Sequence, residues 1–260
     1  MQGSKFTYYL KLFGFSPKKF LYSLKGSIPY LMNLAKIKKQ LKSEGNFELT
    51  KLYPCLDDRY EDAGVLAGHY FYQDLYVANK IFKANPQKHV DLGSRVDGFV
   101  AHVASFREIE VFDIRPLNKK INNVKFFKAD LMDKDFSISD YCDSISSLHA
   151  IEHFGLGRYG DEIDVSGHLT GLANIAMILK RGGTFYFSAP IGKQRIEFDA
   201  HRVFSLKYLL SLFEKDYFIK SFAFIDDNEI LTAGVELNNT DIENNLNCNF
   251  GCGIFELIKR

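Results

Sequence analysis

Short apolar runs alternate with helical stretches from residue 64 to the end of the chain. This alternation is typical of βαβ units, in which a helix crosses back over the sheet after each strand, and it predicts a parallel sheet. The last two runs are separated by the Asn-rich segment 238–249, which we expect to be an exposed loop joining an antiparallel pair. The chain is therefore predicted to be an α/β protein with a mostly parallel seven-stranded sheet and an antiparallel last strand. The seven predicted strands are residues 89–93, 110–113, 124–127, 143–148, 183–188, 219–225 and 254–258.

Three successive predicted strands end in an aspartate, namely Asp91, Asp113 and Asp130. In open α/β sheets ligands bind outside the carboxyl ends of the strands, so these acids are expected to face one ligand, and three acids in a row suit a nucleoside. The alternative is that each acid caps the N-terminus of the helix that follows its strand.

The loop after the first strand, Asp91–Gly98, contains an incomplete dinucleotide-binding pattern. It keeps the first and last glycines of G-x-G-x-x-G, but Arg95 stands where the middle glycine belongs. That glycine lets a pyrophosphate approach the backbone, so its absence argues against NAD or FAD. A nucleoside ligand without a pyrophosphate has no such requirement.

Charge divides the chain into two parts. Residues 1–50 hold nine lysines against two glutamates, a net charge of +7, whereas the other 210 residues hold 24 basic and 30 acidic side chains, a net charge of −6. The acidic body argues against a nucleic-acid partner, since it would repel phosphates. We predict a basic helical N-terminal arm, residues 1–50, followed by one domain, residues 51–260.

The arm has apolar residues at helical spacing between its lysines, and breaks are expected near Pro17 and Pro29. Such a helix can lie on anionic lipid, or its lysines can simply be solvated. Because no run is long enough to span a bilayer and no signal peptide is recognisable, we expect a cytoplasmic protein with possible peripheral contact at the inner membrane face through residues 1–50. Four cysteines are too few for a disulfide scaffold, and the pair Cys248 and Cys252 is best read as two unrelated thiols rather than half a metal site.

In this order and at these spacings, the motifs resemble those of the class I S-adenosylmethionine-dependent methyltransferases over residues 64–260. The resemblance implies a Rossmann-like fold in which Asp91–Gly93 lies beneath the methionine part of the cofactor, Asp113 binds both ribose hydroxyls, and 129–131 contacts adenine. The turn 179–183 resembles the family's turn before strand five, although Arg181 stands where proline is usual. The implied cofactor-binding residues are Asp91, Gly93, Ser94, Asp113, Ile114, Asp130, Leu131 and His149.

A narrower resemblance covers most of residues 60–260. The segments 68–74, 91–98, 113–116, 147–161 and 200–203 are similar to those of a family of methyltransferase-like proteins named as a domain of unknown function and first noted in nematodes. Its bacterial members lie among surface-polysaccharide genes. The resemblance implies a sugar or glycan acceptor.

Methyl transfer to a hydroxyl needs a positioned base, and histidine has a suitable pKa. His149, Glu152 and His153 follow the fourth predicted strand, and His201 and Arg202 follow the fifth. We predict these five residues as catalytic, with His153 as the preferred base; the alternatives are structural histidines and an Arg202 that pairs with Asp199 or Glu197. Two neighbouring features, the helix face of His69 and Gln73 and the glycine-rich segment 155–160, are expected near the cofactor and the acceptor respectively, unless they are core packing and a plain turn.

His149–His153 also spells H-x-x-E-H, a zinc-peptidase pattern. On a helix the two histidines would share a face, as metal ligands must. A third ligand is not identifiable and the segment follows a strand, so we assign no metal ligands, while leaving open a divalent metal that assists methyl transfer.

The sequence thus predicts an S-adenosylmethionine-dependent methyltransferase that acts on a hydroxyl or similar nucleophile of a small molecule, sugar or surface-glycan precursor. Two alternatives share the fold: a nucleotide-sugar-modifying enzyme and a non-catalytic scaffold. The sequence does not fix the acceptor atom or the oligomeric state.

Overall fold

The structure is a computed structural model that describes residues 5–43, 47–64 and 68–260. The chain divides into two compact units, Met1–Leu66 and Ala67–Arg260. The predicted boundary at residue 50 remains a prediction.

The first unit contains two helices, α1 (Lys5–Leu12) and α2 (Pro17–Gln40). Helix α2 begins where Ser16 accepts a hydrogen bond from the backbone of Lys19, and proline is tolerated in the first turn because that turn needs no N–H donor. The expected break near Pro29 is wrong, since α2 continues through this residue. Proline removes one hydrogen bond from the helix, and the other bonds of a 24-residue helix keep it continuous.

An exposed apolar stripe runs along α2. Its side chains recur every three or four residues, which places them on one face of the helix. None of the described helices is long and apolar enough to cross a membrane. The exposed apolar residues of α2 include Phe20, Leu21, Leu24, Ile28, Leu31 and Met32.

The second unit is a sheet with helices between its strands. It begins with α3 (Gly68–Ala84), and a π-helical turn, Val96–Val100, leads into the short α4 (Ala101–Ala104). The later helices are α5 (Gly167–Ile178), α6 (Leu206–Phe213) and α7 (Asn239–Glu243). The strands are β1 (His89–Leu92), β2 (Ile109–Asp113), β3 (Val124–Lys128), β4 (Cys142–Leu148), β5 (Leu179–Ile191), β6 (Arg195–Glu197), β7 (His201–Val203), β8 (Tyr217–Ile225), β9 (Leu231–Ala233) and β10 (Gly251–Lys259).

The main sheet has the order β3-β2-β1-β4-β5-β10-β8-β9. Strands β1 to β5 pair in parallel, and β10 is antiparallel to both of its neighbours, which confirms the predicted fold class. An eighth strand, β9, extends the edge beyond the seven predicted strands. Its three residues are too few to give an alternating sequence pattern.

Two predicted local features differ in the structure. The segment 238–249 is not wholly a loop, because α7 forms within it on a capping box made by Asn238 and Asp241. The turn predicted at 179–183 is part of β5, and the register slips where this stretch pairs with β4.

The core lies on both faces of the sheet. Strands β1 and β2 are buried along their whole length, as expected for central parallel strands covered by helices. The packing of the apolar residues of these strands fixes the residue at which the polypeptide leaves each strand. The carboxyl ends of β1 and β2 therefore meet at one edge, where their aspartates stand.

Candidate functional site

A cavity of about 850 Å³, called here the first cavity, opens at the carboxyl edge of β1, β2 and β4. Its size is that of a pocket for a cofactor-sized ligand. Apolar side chains form much of its wall, and charged groups stand at its rim. The lining includes Leu92, Gly93, Ser94, Arg95, Phe112, Asp113, Ile114, Arg115, Ala129, Asp130, Leu131, Met132, His149, Ala150, His153, Arg158 and Tyr159.

The loop after β1, Asp91–Gly98, is held in place by hydrogen bonds to Asp91. This carboxylate is fully buried and accepts hydrogen bonds from the Ser94 hydroxyl at 2.6 Å, the Ser94 backbone N–H at 3.0 Å and the Ser146 hydroxyl at 2.6 Å. Burial raises its pKa to about 7, against the effect of the serine hydrogen bonds. Asp91 does not line the cavity, so the structure makes it a positioning residue for the loop, whereas Ser94 reaches the cavity wall.

Gly93 forms the tight turn above Asp91. Its φ of +74° favours glycine, and a Cβ there would lie 3.0 Å from the Cβ of Ala150. The loop can therefore pass close to the segment that follows β4 without a side chain between them.

Asp113 lies at the end of β2, where the acid for ribose is expected. Its carboxylate is clasped by Arg115, whose backbone N–H, Nε and Nη2 donate at 2.8, 2.9 and 2.6 Å. The guanidinium of Arg115 in turn lies 4.4 Å from the centre of the Tyr159 ring. Sequence reasoning missed Arg115 as the partner of Asp113 and Tyr159 as the partner of Arg115.

Asp130 and its neighbours form the next part of the wall. Asp130 accepts a hydrogen bond from the backbone of Met132 at 2.8 Å, and Ile114 and Leu131 add apolar surface. Each of the three predicted acids thus bonds to a backbone N–H two or three residues further on, but none of them caps a helix: no described helix starts after Asp113 or Asp130, and the N-cap of the turn after Asp91 is Arg95. Asp113 and Asp130 also line the cavity, which a cap alone does not require.

A second cavity of about 530 Å³ adjoins the first. Four residues, Tyr70, His149, His153 and Arg158, line both cavities and so stand between them. The remaining wall is polar and rich in carboxylates. It consists of Gly68, His69, Glu152, Pro190, His201, Asp226, Asp227, Glu229, Asn249 and Phe250.

His149 stands in the wall between the cavities. Its φ is +49°, unusual for a residue with a Cβ, and its N–H bonds to Ser188. Its Nδ1 lies 2.6 Å from Glu152 Oε1, and its Nε2 lies 3.2 Å from Nδ1 of His69. Burial lowers the pKa of His149, but Cys252 and Glu152 outweigh it and hold the pKa well above its ordinary value.

His153 differs from His149 in having one ring nitrogen without a close partner. Its Nδ1 donates to the carbonyl of Ala200 at 2.7 Å, which leaves the lone pair of the neutral ring on Nε2. Burial lowers the pKa of His153 despite the nearby Glu152 carboxylate, whose Oε1 lies 3.9 Å from Nε2. The ring is therefore neutral at pH 7 and can accept a proton at Nε2.

The two residues predicted after the fifth strand separate in the structure. His201 lines the second cavity, and its Nε2 lies 3.4 Å from Glu197. Arg202 lines neither cavity: it is buried and donates to the carbonyls of Glu152, Phe154 and Val165. Its guanidinium holds the segment that follows β4, and no hydrogen bond or ion pair joins it to Asp199 or Glu197, while its catalytic role stays a prediction.

The zinc-peptidase arrangement, with both histidines on one face of a helix, does not form. The H-x-x-E-H segment is not a regular helix, since only 151–153 forms a 3₁₀ turn and His149 has a positive φ. His149 instead meets His69 and Cys252, and these three residues bring one potential ligand atom each within 4.8 Å of one another. Cys248 is not in this group.

The glycine-rich segment 155–160 forms a tight loop. Asp161 organises it by accepting hydrogen bonds from the backbone of Gly155, Gly157 and Tyr159. The loop carries Arg158 to both cavities and Tyr159 to the first. His69 and Gln73 are buried nearby, with Gln73 bonded to Ser188.

Several site residues were not found by sequence reasoning: Arg115, Arg158, Tyr159, Cys252 and the pair Asp226 and Asp227. Cys252 offered the clearest signal, because a strand antiparallel to β5 begins at the edge where β5 ends. A residue at the start of β10 must therefore lie at the ligand edge.

Comparisons with known proteins agree on the fold. A candidate sarcosine dimethylglycine methyltransferase from Galdieria sulphuraria has a TM-score of 0.50 at 14% identity, over 72% of this chain and 85% of that chain. The N-methyltransferase NodS from Bradyrhizobium japonicum WM9, solved with S-adenosyl-L-homocysteine, has a TM-score of 0.46 at 11% identity, over 72% and 87%. The likeness to the first of these, at a TM-score of 0.50, shows the fold and not the activity, and no curated protein sequence matches the chain.

A family model matches residues 103–249, which include β2 to β8 and the segment that follows β4. The model is described as "Caenorhabditis protein of unknown function, DUF268". The match covers more than half of the chain, and we conclude that the chain belongs to this family.

Proposed function

We propose that this protein is an S-adenosylmethionine-dependent methyltransferase in which the first cavity binds the cofactor and the second binds the acceptor. The observation that carries the proposal is the shared wall: two cavities at the carboxyl edge meet at His149 and His153. A group transferred across this wall passes a histidine whose Nε2 lone pair is available.

The residues of the first cavity fit the cofactor. Asp113 can accept hydrogen bonds from ribose hydroxyls, and Phe112, Ile114 and Leu131 provide apolar surface for a purine. Gly93 leaves the loop free of a side chain beneath the methionine part. Bound S-adenosylmethionine would supply the methyl group as an electrophile, so the protein mainly needs to position the acceptor and remove a proton.

His153 is the proposed base. As the acceptor oxygen forms its bond to the methyl carbon and the carbon–sulfur bond breaks, the hydroxyl proton passes to Nε2 of His153. The carbonyl of Ala200 fixes the tautomer that this requires. His149, held between Glu152 and His69, orients the wall and does not take part in the proton transfer.

A sugar or glycan acceptor is supported by the lining of the second cavity. Carboxylates and histidines accept and donate hydrogen bonds to hydroxyl groups, and Tyr70 and Phe250 offer ring faces for a sugar. The experiment is mass spectrometry of glycans from cells with and without the gene. A product that is heavier by one methyl group only in cells with the gene supports the proposal; identical glycans contradict this acceptor class.

Calorimetric titration tests the cofactor separately. We expect S-adenosylmethionine and S-adenosylhomocysteine to bind, and uridine and guanosine diphosphates not to bind. Binding of a nucleoside diphosphate in place of the two adenosyl compounds would favour the nucleotide-sugar enzyme, and no binding by any of them would favour the scaffold.

We also propose that the cytoplasmic face of a membrane is a peripheral partner of residues 1–50. The support is the exposed apolar stripe of α2, flanked by lysines that attract anionic lipid by about 1 kcal/mol each. In vesicle sedimentation the protein should bind phosphatidylglycerol vesicles and not phosphatidylcholine vesicles. The double substitution Leu24→Asp and Ile28→Asp should abolish this binding, and unchanged binding would contradict the proposal.

A further inference from the structure

Three side chains of different chain segments meet behind the wall of the second cavity. His69 comes from the start of α3, His149 from the end of β4 and Cys252 from the start of β10. Their Nδ1, Nε2 and Sγ atoms lie within 4.8 Å of one another, and His69 and His149 open onto the second cavity. Two imidazoles and a thiolate form a donor set suited to zinc and chemically similar ions.

The spacing of the nitrogens fits a tetrahedral ion. Two nitrogens bound at about 2.0–2.1 Å with a tetrahedral angle between them are separated by about 3.3 Å. The separation of His69 Nδ1 and His149 Nε2 is 3.2 Å. No large movement of either ring is needed to place an ion between them.

The groups around the ligands are those that hold metal-bound histidines. Glu152 lies 2.6 Å from the other nitrogen of His149, the carboxylate–histidine arrangement that fixes the ring and its tautomer at many zinc sites. The Phe250 backbone and ring lie beside His69, with the ring centres 5.3 Å apart. The Cys252 thiol donates to Gln73 Oε1 at 3.6 Å, and this oxygen also accepts from the Ser188 hydroxyl, so metal binding would replace the thiol proton while Gln73 keeps its bond to Ser188.

Glu152, beside His149, also has a hydrogen-bonding need that no described residue meets. The residue is 1% exposed, yet its Oε2 has no hydrogen-bond partner among the described residues. A buried carboxylate oxygen without a partner is costly unless positive charge stands nearby. A divalent ion on His149 would supply that charge through the ring.

We propose that His69, His149 and Cys252 bind one divalent ion of the zinc class, with its fourth position directed to the second cavity. The competing arrangement is a direct hydrogen bond between the two histidines with no ion. The metal proposal stands on the ligand geometry and does not depend on methyl transfer.

Cobalt titration of the chelator-treated full chain tests the site, because cobalt bound by a thiolate gives a ligand-to-metal absorption in the near ultraviolet. We expect one equivalent of cobalt to produce this absorption, and zinc to displace it. Elemental analysis of the zinc-loaded protein should give one zinc per chain. Absence of the absorption together with less than about a tenth of an equivalent of zinc would overturn the proposal.

Cys252→Ser should abolish the thiolate absorption, whereas the matched control Cys248→Ser, a buried thiol outside the group, should retain it.

Glu152→Gln should weaken cobalt binding by about 10- to 100-fold while keeping the absorption. His69→Gln provides a second ligand variant, to be compared with wild type by circular dichroism, and should weaken binding by at least as much. Wild-type affinity in both ligand variants, or loss of the absorption in Cys248→Ser, would overturn the assignment.

Discussion

Most of the first cavity is lined by the loops after β1, β2 and β3, and Tyr70 and the segment after β4 complete its wall. The second cavity has no such run of neighbouring loops and brings together residues from segments far apart in the chain. In the first, Asp113 and Asp130 bond to backbone groups two residues away. In the second, long-range contacts join His69 to His149 and His153 to Ala200. Each loop of the first cavity therefore holds its own shape, while the second cavity takes its shape only when the whole sheet edge is assembled.

This difference separates three kinds of substitution. A change in the first cavity should alter ligand affinity locally, because the loop keeps its backbone contacts. A change at the shared wall should alter the chemistry without altering cofactor affinity. A change in the loop at 155–160 should disturb both cavities.

The largest effect is expected from His153→Ala, at the shared wall. Removal of a positioned general base should lower turnover by about 10²- to 10⁴-fold. The measurement is the amount of methylated glycan in cells that carry the variant, together with calorimetric titration of S-adenosylmethionine, which should bind within about threefold of wild type. His102→Ala, which lines neither cavity, is the control; equal turnover in the His153 and His102 variants would remove His153 as the base.

Gly155→Ala should disturb the loop that joins the cavities. Gly155 has φ +74°, and a Cβ there would lie 1.8 Å from the Asp164 carbonyl oxygen, so the backbone must move. We expect a loss of unfolding free energy of about 3 kcal/mol or more, measured by urea denaturation.

Gly160→Ala is the matched control for this substitution. Its φ is +81°, but a Cβ would meet no atom within 4 Å, so only the backbone strain of about 1–2 kcal/mol remains. Equal losses in the two variants would show that the close approach to Asp164 does not matter.

Asp113→Asn should act on the first cavity alone. Removing the charge from an acceptor of ribose hydroxyls should weaken S-adenosylmethionine binding by about 10- to 100-fold, as expected for the loss of charge-assisted hydrogen bonds. Calorimetric titration measures the effect. Glu108→Gln removes an exposed carboxylate paired with Lys125 outside the cavity and should leave the affinity unchanged; an equal loss in both variants would mean that only overall charge matters.

The smallest effect is that of pH. Burial holds the pKa of His153 below its ordinary value of 6.5, so the base is already neutral above that pH. Turnover should be level above pH 6.5 and fall by about tenfold per unit only below the pKa of the folded protein. A falling limb that lies above pH 6.5 would contradict the assignment of His153 as an isolated base.

The same difference between the cavities explains what the sequence could predict. The order of strands and the positions of Asp113 and Asp130 follow from alternation and from the rule that strand ends share an edge. The contacts of Arg202 could not be predicted, because they are made to three carbonyls of residues 152–165 that sequence spacing does not bring to it. Cys252 was missed for a related reason: its partners, His69 and His149, are more than 100 residues away in the chain.

Because Arg115 already bonds to Asp113, a ligand that binds Asp113 through two hydroxyls must replace one of the hydrogen bonds from Arg115. A carboxylate offers about four lone-pair positions, and Arg115 fills three of them, whereas a ribose diol needs two. One hydrogen bond from Arg115 to Asp113 must therefore break when a diol binds. The Tyr159 ring, 4.4 Å from the guanidinium, stabilises the freed cation by a cation–π interaction. The affinity of the first cavity for a nucleoside is thus the difference between the free energies of the Asp113–diol and the Asp113–Arg115 hydrogen bonds. A nucleoside with only one of the two hydroxyls can use the one free lone pair of Asp113 and does not displace Arg115.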